Sequence, residues 1–150
     1  MKRSPCLWRS SAAVLASLAL AAPAGAHTRN DSLGAAEAAT DHLQVTCFDS
    51  GTGAPQSLSV EIRDAAPGAL PQLSVTIQRG EALASASDTT DADALPSPKI
   101  ALNEGGGAYR VLVTKTGAGA KSYSFVFHCT TGPDGSGSHA GTSLSVLQDQ

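Results

Sequence analysis

The sequence predicts an all-β chain folded as an antiparallel sandwich of seven to eight short strands, and three observations predict it. Apolar residues recur at every second position in short runs, the period of a strand with one buried face. Clusters of Gly, Pro, Asp and Ser interrupt those runs about every ten residues. Beyond residue 26, no stretch reads as an amphipathic helix, and only a weak helical pattern runs through Leu33, Ala36 and Ala39.

The first 26 residues read as a secretory signal peptide. Lys2, Arg3 and Arg9 form a positive segment, 12–22 is an apolar run, and Ala24-Gly25-Ala26 ends it with small residues suited to cleavage. The apolar run is too short for a membrane-spanning anchor. Cleavage after Ala26 leaves His27 first, whereas Ala22-Pro23-Ala24 offers a site that leaves Gly25 first. Cys6 precedes the apolar run, the wrong side for a lipid-modified cysteine. The expected destination is therefore the cell exterior or the periplasm, with no stable membrane anchor after cleavage. An Ala- and Gly-rich composition points to a bacterial source.

Removing 26 of 150 residues leaves 124, enough for one domain. Seven basic residues then face thirteen acidic ones, a formal charge of −6. Such a surface disfavours nucleic acid and anionic membranes as partners.

Taken in order, 27–40 reads as an extended lead-in or one short helical turn before the domain at 41–150. Leu43, Val45 and Cys47 alternate with His42, Gln44 and Thr46 in a first strand, and Leu58, Val60 and Ile62 make a second. Leu73, Val75 and Ile77 form a third, followed by a weaker fourth at 82–86. The acidic, proline-bearing stretch 87–98 reads as a surface loop. Ile100 and Leu102 form a short strand that Gly105-Gly106-Gly107 turns back into Tyr109, Val111 and Val113 as a hairpin. Tyr123, Phe125, Phe127 and Cys129 make the longest aromatic alternation. The Gly/Ser-rich loop 130–141 precedes a last strand, with Leu144 and either Val146 or Leu147 inside.

With Cys6 cleaved off, Cys47 and Cys129 are the two cysteines left, and an exported domain with two cysteines forms one bridge. No Cys-x-x-Cys spacing suggests a redox-active pair. One cysteine lies on an early strand and the other on the penultimate one, both facing inward. Through Leu43-x-Val45-x-Cys47 and Tyr123-x-Phe125-x-Phe127-x-Cys129, this arrangement resembles the inter-sheet bridge of an immunoglobulin-like domain. The resemblance implies an immunoglobulin-like sandwich with one inter-sheet disulfide. It departs from antibody-type domains because no Trp packs on the bridge and Phe127 stands where a tyrosine corner places Tyr.

Few residues offer chemistry. The nucleophile elbow, the phosphate loop and the His-Glu-x-x-His metalloprotease motif are all missing from the sequence. A hydrolytic triad would have to combine Ser138 or Ser143 with His128 or His139 and a remote Asp. If His27 becomes the first residue, its α-amine and imidazole together chelate one metal ion. His128 or His139 then completes a copper site of the histidine-brace type, whose nitrogen donors suit Cu(II). His42 and His128 fall on opposite outer faces and cannot share a metal. Asp88, Asp91 and Asp93 offer oxygen ligands without the glycine and glutamate of an EF-hand, and read as a solvated loop. Phe48 is expected outside and the other aromatics inside, which disfavours a sugar-stacking platform. Asn30-Asp31-Ser32 fits a glycosylation sequon.

The sequence is read first as an exported, non-catalytic β-sandwich with a binding or structural role, no cofactor, and another exported protein as its class of partner. The alternative is a copper-binding protein centred on His27, and the second alternative a small secreted hydrolase.

Overall fold

The computed structural model describes residues 27–64, 70–90 and 95–150. The segment 1–26 that reads as a signal peptide, with Cys6, and the residues Asp91 and Asp93 lie outside the described residues. Among the described residues nine strands form: β1 (His27–Leu33), β2 (Asp41–Phe48), β3 (Ser57–Asp64), β4 (Leu73–Arg79), β5 (Ala82–Asp88), β6 (Ile100–Leu102), β7 (Gly107–Lys115), β8 (Lys121–Thr130) and β9 (Gly141–Gln148). They make two antiparallel sheets, one ordered β1-β8-β3-β6 and the other β5-β4-β7-β2-β9. Among the described residues the only helical element is a single 3-10 turn, Pro133–Gly135.

The alternation read from the sequence is what the sheets bury. Leu43, Val45 and Cys47 of β2, Tyr109, Val111 and Val113 of β7, and Leu73, Val75 and Ile77 of β4 line the inner face of the five-stranded sheet. Leu58, Val60 and Ile62 of β3 meet them from the other sheet with Tyr123, Phe125 and Phe127 of β8. Cys47 and Cys129 are bonded across the two layers, their Cα atoms 5.5 Å apart.

Three local outcomes differ from the sequence reading. Residues 27–33 are extended, as expected, but they are a full strand of the sandwich: β1 pairs with β8 from His27 opposite Phe127 to Leu33 opposite Lys121. That pairing satisfies the backbone groups on the side facing β8 and brings the strands of the described residues to nine. The glycines at 105–107 do not close a hairpin. Ile100–Leu102 pairs with β3 in one sheet while β7 pairs with β2 and β4 in the other, so the turn carries the chain between layers. Arg79 secures this crossing by donating to the carbonyls of Glu104 and Gly105 at 2.6 and 2.8 Å. The one tight hairpin among the described strands is β4–β5, through Gly80-Glu81. In β9, Leu144 packs against the core, whereas Val146 and Leu147 are 43% and 57% exposed, because β9 is an edge strand whose register shifts against β2 at His42/Leu43.

The terminal strands are exchanged relative to a constant-type immunoglobulin domain, where the first two strands share a sheet, as do the last two. Here β1 lies beside β8 and β9 lies beside β2. This exchange positions the site, because it brings residue 27 next to residues 127 and 128.

Candidate metal centre

The register of β1 on β8 sets His27 directly opposite Phe127, with the two rings 5.6 Å apart between centroids and inclined by 33°. His128 is the next residue on β8. Its side chain leaves the outer face because Phe127 and Cys129 on either side point into the core. Thr130 forms an isolated antiparallel bridge with His139, which returns His139 to the same outer face, diagonal to His128. The rings of His128 and His139 are 4.8 Å apart at 77°, and those of His27 and His128 are 6.4 Å apart.

The loop that delivers His139 is ordered by a dense set of bonds. Asn103 and Asp134 exchange two hydrogen bonds: the Asn103 amide donates to the Asp134 carboxylate at 2.9 Å, and the Asp134 backbone N–H donates to the Asn103 side-chain oxygen at 2.8 Å. The Ser57 hydroxyl donates to the Gly132 carbonyl at 2.7 Å and accepts from the Gly135 N–H at 3.0 Å. Gly135 has φ +74°, and a Cβ there would lie 2.8 Å from Ser59, so only glycine lets the turn settle on β3. Thr52 donates to the His139 carbonyl at 2.6 Å, and the Ala140 N–H donates to the Cys129 carbonyl at 2.8 Å. The Gly/Ser-rich segment thus forms a roof over β3 and β8.

The roof changes the chemistry of His128. Its Nδ1 is buried and has no hydrogen-bond partner. Burial first, then the neighbouring His139, His27 and Lys99, push its pKa below the usual histidine range. That shift favours the neutral ring, the form in which imidazole donates to a metal. Lys99 is the neighbour that pattern reading missed, since nothing in the sequence ties residue 99 to residue 128.

The three imidazoles gather without closing on one point: their donor nitrogens do not all fall within 4.8 Å of one another. The exposed His27 ring lies toward Phe127, its partner across the strand pair. Among the described residues, the group whose donor atoms do close within 4.8 Å is Asp31, Asp41 and Asp149. Arg29 is ion-paired with both Asp31 and Asp149, while Asp41 accepts from the Tyr123 hydroxyl and the Gln150 N–H, so these carboxylates already have partners.

The other candidates separate. His42 stands on β2, in the opposite sheet from His128. Among the described residues no serine hydroxyl bonds to a histidine ring, so Ser138 and Ser143 lack the contact that a triad starts from. Asp88 is turned inward instead of standing in a solvated acidic loop, its carboxylate accepting the Asp64 N–H at 2.9 Å. Phe48 is 47% exposed and lies over Gly141, while Tyr109, Tyr123, Phe125 and Phe127 are buried. No protein-family model matches the chain, and no curated protein is similar to it.

Proposed function

We propose that the protein is an exported β-sandwich that binds one copper ion at the edge formed by β1 and β8. The processed N-terminus at His27 would supply an amine and an imidazole, and His128 and His139 the remaining nitrogens. One observation carries this reading: residue 27, at the other end of the domain's sequence, lies beside residue 128, which in turn lies beside residue 139, and these are three of the four histidines. The unpartnered Nδ1 of His128 supports it, because a buried polar atom without a partner carries a desolvation cost that a ligand removes. A set of nitrogen donors suits Cu(II), which also heads the affinity order of divalent first-row metals.

The test is a competition titration of Cu(II) into the chain that begins at His27 and into the same chain carrying His27→Ala. The substitution removes the imidazole of residue 27 and leaves the rings of His128 and His139 in place. Altering groups that merely support a ligand costs about 10–100-fold in metal affinity, so losing a ligand is expected to cost about 100-fold or more. Equal affinity in the two chains would remove His27 from the site.

A further inference from the structure

Away from the histidines, at the opposite end of β8, lies a contact between an amine and a carboxyl group. Lys121 begins β8 and Asp64 ends β3, neighbouring antiparallel strands in which Asp64 stands opposite Tyr123. The Lys121 Nζ is 2.7 Å from the Asp64 Oδ2, and the two side chains are 2% and 3% exposed. From the facing sheet, the buried Asp88 at the end of β5 holds the Asp64 backbone by accepting its N–H at 2.9 Å. Withdrawing an ammonium and a carboxylate from water costs several kcal/mol per ion, which close pairing repays only in part.

We infer that Lys121 and Asp64 join covalently, forming an isopeptide bond that cross-links β8 to β3. A proton first passes along the 2.7 Å contact from Nζ to Oδ2, giving a neutral amine and a neutral carboxylic acid. The Nζ lone pair then attacks Cγ of Asp64. The new C–N bond forms as the C–O bond to the protonated Oδ2 breaks, and that hydroxyl leaves as water with the second proton lost from Nζ. The product is a neutral amide and one water molecule, with no change of oxidation state. Two features favour the step. The strands hold both reactants in contact, which turns a bimolecular condensation into a unimolecular one. The product also abolishes both buried charges. Asp88 is a positioning residue, acting through the Asp64 backbone.

The experiment is intact mass spectrometry of the exported protein after denaturation and reduction of the disulfide. The expected mass is that of the chain from its observed first residue, less one water. Proteolysis is expected to release a branched peptide joining residues 64 and 121. Lys121→Met and Asp64→Ala should each restore the full mass, while Asp64→Asn should re-form the same link by losing ammonia. Asp88→Ala should lower the cross-linked fraction, and Asp88→Asn, which keeps an acceptor, should restore it. A wild-type chain with its full sequence mass overturns the inference without reference to any variant, as does water loss that persists in Lys121→Met.

Discussion

The two ends of β8 treat polar groups in opposite ways, though only about 23 Å separates Lys121 from His128 at about 3.3 Å per residue. At the first end, charge is buried and matched from within: Lys121 with Asp64, Asp88 with the Asp64 N–H, and Asp41 with the Tyr123 hydroxyl and the Gln150 N–H. At the far end, three histidines collect at an edge, and the one most enclosed keeps a nitrogen without a partner. Matched groups hold the sandwich together, whereas unmatched ones leave valence for something from outside. The disulfide fixes this second end, since Cys129 follows His128 and its carbonyl anchors the chain beside His139.

Breaking the matched end should cost the most stability. Lys121→Ala removes both the cross-link and the buried partner of the Asp64 carboxyl group, and removing one partner of such a pair costs about 3–5 kcal/mol, measurable by chemical denaturation. Replacing both cysteines by alanine releases a bridge across 82 positions and should cost about 2–4 kcal/mol, with reduction of the wild type giving a similar loss. An unchanged melting temperature in excess reductant would contradict this.

Tyr123→Phe removes a 2.6 Å hydrogen bond to the buried Asp41 and should cost about 1.5–3 kcal/mol. The same residue sets a pH dependence. Burial, followed by Asp41, raises the Tyr123 phenol well above its usual 10.0, so the native state keeps a proton that the unfolded chain releases. Its contribution is complete below pH 10 and declines as the pH rises further, and in Tyr123→Phe this part of the decline should vanish. The smallest stability change belongs to the open end: His139→Ala should alter stability by no more than about 0.5 kcal/mol. Its effect should fall instead on Cu(II) affinity, which sharpens the contrast between the two ends.

The charges of the matched end were not read as inward, although the strand period carries that signal. Lys121 continues the inward series of Tyr123, Phe125 and Phe127, Asp64 extends Leu58, Val60 and Ile62, and Asp41 precedes Leu43, Val45 and Cys47. Each charge sits at the end of an apolar alternation, so the strand period alone places it inside. The bridge was legible for the same reason. Which strand β1 joins was not, because His27–Leu33 has no apolar alternation and is held by backbone pairing on an edge. The sheet to which Ile100–Leu102 belongs was equally hidden, since a glycine turn has the same composition whether it closes a hairpin or crosses between layers. The histidines at 27, 128 and 139 were recognisable as donors by type. Their proximity depends on the exchanged terminal strand and on the roof pinned by Asn103 and Ser57, both long-range contacts without a local signature.

The central claim is that the far end of β8 is open to a metal, and native mass spectrometry of the protein with added Cu(II) tests it most directly. The account predicts a chain beginning at His27 that retains one copper ion, and loss of that copper in His128→Ala. A chain that stays metal-free, or a His128→Ala variant that loads as fully as the wild type, would contradict it.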